Sequence, residues 1–296
     1  MANTATPSWF QQAIDTPYSE HKVSAYGCDI HYQAWGDPSN PGLYFLHGNG
    51  AHSHWWDFIA PSFADRFYVV APCMSGMGDS GHRDIYNVAT YVEEVKETCD
   101  AIGFSSKPLL VGHSMGGRLV FAAEKKYRDA FYGVIIADSA FPPPERTFNF
   151  EERRKAGVKP HKIYATEEEA LSRFRLFPPQ PCDNEYIVKF IGKHSMREVD
   201  GGWSWKFDPK VFSQFDYENM LSSMPEEGEK ILGMIYGADS SLYTGTAVEY
   251  NENLFAKFGL RKPIAIPGAH HHLFLDQPLA FIDELKKLID ETGYGQ

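Results

Sequence analysis

Gly112-His113-Ser114-Met115-Gly116 decides how the rest of this 296-residue chain is read. Ahead of it, Pro108 to Val111 (PLLV) is a short apolar run; behind it, Gly117-Arg118-Leu119-Val120-Phe121-Ala122-Ala123 is compatible with a helix. A chain that turns from strand to helix this sharply is strained, with neighbouring backbone pressed close. Side chains at the two flanking glycine positions would clash there. Ser114 is left exposed at the C-terminal edge of a sheet and at a helix N-terminus, where developing negative charge is favoured.

Outward from that turn, the same alternation repeats. His21 to Asp29 and Ile30 to Trp35 read as an opening hairpin. Short apolar runs follow at Gly42 to Leu46, Arg66 to Ala71, Tyr132 to Ala137, Lys230 to Tyr236 and Lys262 to Ile266. Runs without strict alternation fit strands buried on both faces of a parallel sheet. Between them, Thr90 stands three residues before Glu93 in capping-box spacing. Val92, Val95, Cys99 and Ile102 then form one stripe that Gly103 can end. Pro278 suits a first helical position ahead of Phe281, Ile282, Leu285, Leu288 and Ile289. The pattern predicts an α/β fold with a mostly parallel eight-stranded sheet flanked by helices.

Residues 141–225 break the alternation. No clear buried strand is visible there. Helix starts stand at Thr166 with Glu169, at Asp183, and at Asp208-Pro209, among many aromatics. This predicts a helical cap inserted into a core made of residues 1–140 and 226–296.

A serine hydroxyl needs a base to become a nucleophile at neutral pH. The candidates lie in Gly268-Ala269-His270-His271-His272-Leu273-Phe274-Leu275-Asp276-Gln277-Pro278, between the last strand and the last helix. A metal site is not expected, because consecutive loop side chains diverge and spacings such as H-x-x-x-H are missing. His47-Gly48-Asn49-Gly50 follows the first buried strand, where glycines let backbone N–H groups face a reacting carbonyl. Asn49 and Met115 are the expected oxyanion donors. His47, His52 and His54 read as packing and polar-network residues. Gly76-Met77-Gly78-Asp79-Ser80-Gly81 spells a dinucleotide-binding fingerprint, but helix signals wait until Thr90, so nucleotide binding is not expected.

Taken in order, HGNG, SGMGDSG, GHSMG and GAHHHLFLDQP resemble the α/β-hydrolase superfamily over nearly the whole chain. The resemblance implies a cap between the sixth and seventh core strands. It also implies a catalytic histidine five residues before Asp276, which is His271, with His272 as a pocket neighbour. Cys73 and Met77 stand where relatives often carry Asp and His. The acid is ambiguous. Many relatives place it after the seventh core strand, where Gly237-Ala238-Asp239-Ser240-Ser241 holds only the displaced Asp239. A group of small esterases takes it from the end of the sixth strand, which here is Asp138. Asp138 is favoured, with Asp239 as the alternative. Haloalkane dehalogenases and epoxide hydrolases similar to this scaffold use Asp as nucleophile to form an alkyl ester. Ser114 therefore argues against those activities.

The expected chemistry is acyl transfer on a small-molecule ester. A lactone, a thioester, a carbon–carbon bond beside a ketone or a perhydrolase reaction would use the same groups, and a ligand receptor on this scaffold is the reading from another class. His113, His272, Trp203 and Trp205 are the expected substrate-lining residues. Neither metal nor organic cofactor is required. A net charge of −11 argues against nucleic acid and anionic membranes as partners. No apolar window suits a membrane span, and the N-terminus lacks the pattern of a secretory signal. The four scattered cysteines read as free thiols in a cytoplasmic protein. The sequence sets no oligomeric state.

Overall fold

The computed structural model describes residues 6–146 and 158–296. An eight-stranded sheet forms the centre, in the order β1-β2-β4-β3-β5-β6-β9-β10. Strands β1 (Ser19–Ala25) and β2 (Cys28–Trp35) form the opening hairpin, and β2 runs antiparallel to β4 (Tyr68–Pro72). The remaining neighbours are parallel: β3 (Gly42–Leu46), β5 (Leu109–His113), β6 (Gly133–Ala137), β9 (Ile231–Gly237) and β10 (Ile264–Ile266). Every residue of β3, β4, β5 and β6 is buried, because helices cover both faces.

Two apolar layers follow from the strand period. Leu43, Phe45, Leu109, Val111 and Ile135 face one core with Phe281, Leu285 and Ile289 of α10 (Pro278–Thr292). Tyr44, Leu110, Val134 and Ile136 face the other. There they meet Val92 and Val95 of α2 (Val88–Ile102) and Leu119 and Val120 of α3 (Met115–Lys126). Successive strand residues point to opposite faces, so each five-residue strand serves both layers.

Local differences from the sequence reading have clear causes. Helix α2 starts at Val88, not Thr90. Asn87 is its N-cap, its side chain accepting from the Thr90 N–H at 2.8 Å. Thr90 is thus the capped residue rather than the cap. Thr166 does cap α4 (Glu167–Leu171), accepting from the Glu169 N–H. Helix α5 (Glu185–His194) begins after Asn184, one residue beyond Asp183.

Among the described residues between β6 and β9 lie α4, α5, α6 (Lys210–Ser213) and α7 (Tyr217–Ser222). They are joined by a hairpin that the sequence reading did not place: β7 (Met196–Val199) with β8 (Gly202–Trp205). Its signal was Asp200-Gly201, a two-residue turn in which Gly201 takes φ 86°. Arg197 and Glu198 are exposed, so β7 lacks the apolar run that marks a buried strand. Residues 147–157 of the expected cap lie outside the described residues.

Candidate active site

Ser114 sits between β5 and α3 with φ 54°, a conformation L side chains rarely adopt. The surroundings hold it there. A Cβ on Gly116 would lie 2.3 Å from the His47 carbonyl oxygen, and one on Gly112 would lie 2.4 Å from the Gly116 carbonyl oxygen. Both glycines are therefore required by close backbone packing. The Ser114 N–H donates to the Ala137 carbonyl at the end of neighbouring β6.

The hydroxyl meets a histidine. His271 Nε2 lies 2.9 Å from Ser114 Oγ, and His271 Nδ1 lies 2.7 Å from Asp138 Oδ2. His271 and Asp138 are buried, and Ser114 is half-buried. Asp138 follows β6 directly, itself at φ 44°. Its carboxylate also accepts from the Gly237 N–H at 2.9 Å and the Ser240 hydroxyl at 2.7 Å. Gly237 and Ser240 belong to the segment after β9 where the resemblance sets the alternative acid; they hydrogen-bond to Asp138 instead. Asp239 points outward: its side chain is exposed, while its N–H donates to the Ala269 carbonyl. The alternative acid is thus not brought to His271, because the turn after β9 faces Ser240, rather than Asp239, inward.

The histidine loop is pinned on several sides. His113 Nε2 donates to the His271 carbonyl at 2.9 Å, and the His272 N–H donates to Gln180 Oε1 at 2.8 Å. His270 turns away to Asp276, whose carboxylate accepts from both its N–H and its ring. Sequence reasoning missed Gln180 and Ser240, neither of which has a motif of its own.

Asn49 and Met115, the expected oxyanion donors, both line the cavity beside Ser114. The Met115 N–H opens α3 and has no acceptor within the helix. His47 Nδ1 donates to the Gly48 carbonyl at 2.7 Å, and the Ala51 N–H donates to the same oxygen. Across a trans peptide, that turns the Asn49 N–H away from His47. The Asn49 side chain donates to Tyr217 Oη. Cys73 accepts from the Ser53 N–H, and Met77 Sδ from the Gly50 N–H, so both departures from the family pattern brace this loop. In the SGMGDSG stretch the Gly76 N–H is spent on the Gly81 carbonyl, which closes a turn rather than opening a phosphate cradle.

A cavity of about 240 Å³ opens beside Ser114 and His271. Asn49, Met115, His113 and His272 line it, together with Trp55, Phe177, Leu221 and Leu242. The two tryptophans expected there are elsewhere. Trp205 lines an adjoining cavity of about 300 Å³, and Trp203 lines neither. Both share one face of the β7–β8 hairpin, and that face packs on Tyr164, Ala170 and Met196 in a cluster of its own.

His113, His271 and His272 each offer a ring nitrogen within 4.8 Å of the others, the one grouping among the described residues that could hold a metal ion. Divergence of neighbouring loop residues applies to His270 but not to His271 and His272, whose rings lie 4.9 Å apart. Any metal there would compete with Ser114 for the Nε2 of His271.

Burial keeps the surrounding imidazoles neutral. It pushes His47 down to about 4, and pushes His113 and His272 well below the usual histidine range, with the neighbouring imidazoles adding to the effect on the last two. A histidine whose pKa is depressed on folding binds more protons when unfolded. Stability is therefore complete above pH ~6.5 and is lost as pH falls toward the folded values, by up to about 1.4 kcal/mol per pH unit for each group. The thermal midpoint, followed by circular dichroism, is expected to fall by about 3 °C or more between pH 7.5 and 5.5. A flat profile would mean these rings protonate without penalty.

Comparison with known proteins agrees with this architecture. The model of the Alpha/beta hydrolase family matches residues 43–284. A serine hydrolase-like protein of Danio rerio is 26% identical over 208 residues, 65% of this chain and 63% of that protein, so this chain covers less than two thirds of that relative. Epoxide hydrolase 3 of Xenopus tropicalis is 22% identical over 309 residues, 96% of this chain and 80% of that protein. Among solved structures, the thioesterase domain from the curacin biosynthetic pathway superposes with a TM-score of 0.72 at 21% identity, covering 91% of this chain and 99% of that one. An esterase from Mycobacterium tuberculosis gives 0.72 at 19% identity, with 95% of each chain covered. Such identities speak for the fold alone, while the family match spans most of the sequence and includes the serine turn and the histidine loop: the chain belongs to the alpha/beta hydrolase family.

Proposed function

We propose that this hydrolase is a serine esterase acting on a carboxylic ester or a related acyl bond, with Ser114 as nucleophile, His271 as general base and Asp138 as the orienting acid. The observation that carries the reading is the unbroken line from Ser114 Oγ to His271 Nε2 at 2.9 Å and from His271 Nδ1 to Asp138 at 2.7 Å, beside a largely apolar cavity.

The steps follow from the geometry. Ser114 Oγ attacks the carbonyl carbon as His271 Nε2 takes its proton. The N–H groups of Asn49 and Met115 receive the oxyanion. The intermediate collapses, the leaving group departs with the proton from His271, and an acyl-serine remains. Water, deprotonated by the same nitrogen, attacks the acyl carbon, and the acid is released as Ser114 regains its proton. Neither metal nor cofactor takes part. Residues 141–225 act as a cap over a core of 1–140 and 226–296, contributing Phe177, Pro178, Tyr217 and Leu221 to the cavity wall. His113 and His272 line the substrate site. A cytoplasmic setting goes with this reading, given four free cysteines; among the described residues no helix is long and apolar enough to cross a membrane.

Relatives named epoxide hydrolases raise a competing chemistry. Covalent epoxide opening needs a nucleophile whose adduct water can cleave. A carboxylate gives an ester, whereas Ser114 would give a stable ether and stall after one turnover. The test is a panel of p-nitrophenyl esters, a lactone, an acyl thioester and styrene oxide. Multiple turnover of at least one acyl substrate and none of the epoxide is expected. Epoxide turnover without acyl turnover would overturn the reading, and a single slow turnover on every substrate would favour a ligand receptor.

A further inference from the structure

The chain carries a net charge of −11, yet the charged residues lining its two largely apolar cavities, among the described residues, are arginines. Arg118 and Arg146 line the Ser114 cavity, and Arg173 and Arg175 line the adjoining one. The two cavities share Asn49, Trp55 and Phe177 as walls, and among the described residues neither lining includes an aspartate or a glutamate.

Arg118 is the informative member. It lies one helical turn beyond Ser114 on α3 and is only 2% exposed. Among the described residues no carboxylate pairs with it. Its Nη2 donates to the carbonyls of Met220, Leu221 and Ser223 at the end of α7, and its guanidinium carbon lies 4.2 Å from the centre of the Phe141 ring. Among the described residues its Nε and Nη1 are buried without an acceptor. Buried charges are ordinarily paired, because removal from water is costly and a neutral carbonyl repays only part of it. Burial pulls the Arg118 pKa down to about 9, the mark of a cation lacking its counter-charge. Anchoring α7 accounts for one nitrogen of the three and leaves the other two unexplained.

We propose that the substrate carries a carboxylate in addition to its scissile acyl bond, and that Arg118, with Arg146 of the same cavity lining, recognises that carboxylate. The inference rests on the esterase reading and names its substrate class: a half-ester of a dicarboxylic acid, or an ester of a carboxylated alcohol. Nη1 is unspent, and a charge-assisted hydrogen bond from it to one carboxylate oxygen in an apolar wall is strong. The remaining wall, with Trp55, Leu221 and Leu242, takes the apolar body.

The experiment compares monomethyl adipate with dimethyl adipate by kcat/KM. Wild type is expected to favour the charged half-ester by about 10-fold or more. Arg118→Met and Arg146→Gln should each move that ratio toward one by lowering turnover of the half-ester; Arg146→Gln keeps the test open should Arg118→Met fail to fold. Equal use of the two esters by wild type would overturn the proposal, as would variants that slow both alike, which marks a wall-packing role only. Calorimetry of adipate binding to Ser114→Ala separates this inference from the catalytic one. Binding that weakens in Ser114→Ala/Arg146→Gln supports the anion site even where no ester is cleaved. Ester cleavage without adipate binding sinks the anion site alone.

Discussion

Ser114→Ala is expected to lower kcat/KM for any cleaved ester by about 10,000-fold or more, leaving only what the oxyanion donors and binding contribute. The change removes one oxygen. Alanine carries the same Cβ as serine, so the φ of 54° imposes no new strain, and the packing of Gly112 and Gly116 against the backbone is untouched. The fold should survive, and the loss should be chemical. A fluorophosphonate read by intact mass reports this directly. Wild type should take one adduct, Ser114→Ala none, and His271→Ala only a slow trace, because the hydroxyl then lacks the acceptor 2.9 Å away. Labelling that persists on Ser114→Ala would place the reactive serine elsewhere and undo the mechanism.

The parts of this site that were legible in the sequence are those fixed by local backbone physics. The serine turn announces itself because only glycine tolerates a carbonyl at 2.3 or 2.4 Å from its would-be Cβ, so the strain is written into residue type. The sheet was legible for a similar reason: strands buried on both faces admit few residues, and β3, β5 and β6 read as GLYFL, LLVGH and GVIIA. The loop that carries His271 lies between a strand and a helix with a proline at its start, which is again local.

What failed to show is what depends on neighbours in space. The choice between Asp138 and Asp239 turns on β6 and β9 lying side by side, which no local pattern states, since the residues between them form other elements. Trp203 and Trp205 looked like pocket residues because they are aromatic, and a two-residue turn instead sends their shared face onto Tyr164 and Met196. Arg118 gave no signal, for its neighbours in sequence are ordinary helix residues and its partners are carbonyls at the end of α7. Even the start of α2 was displaced, because Asn87 and Thr90 both suit a cap and the apolar stripe alone does not choose between them.

The acid itself gives the second large effect. Asp138→Asn is expected to lower kcat by about 10,000-fold, while Asp239→Asn leaves it within about two-fold. Asp138 holds the Nδ1–H of His271 and so fixes which ring nitrogen bears the lone pair facing Ser114. It also stabilises the imidazolium once the proton moves. Asparagine keeps the shape, and its oxygen can still accept from the Gly237 N–H, so the junction of β6 and β9 should remain folded. Its amide nitrogen, however, would then take the place of Oδ2 and face both the Ser240 hydroxyl and the His271 ring. Facing His271, it favours the tautomer with a proton on Nε2, which cannot accept one from Ser114. Facing outward, Asp239 touches none of these groups with its side chain. Measured with one ester at one pH, and with circular dichroism to confirm that both variants fold, the pair gives opposite outcomes for the two candidate acids. Loss with Asp239→Asn and not with Asp138→Asn would require the loop after β9 to swing inward in solution, and would return the acid to the segment after β9 that the family resemblance offers as the alternative.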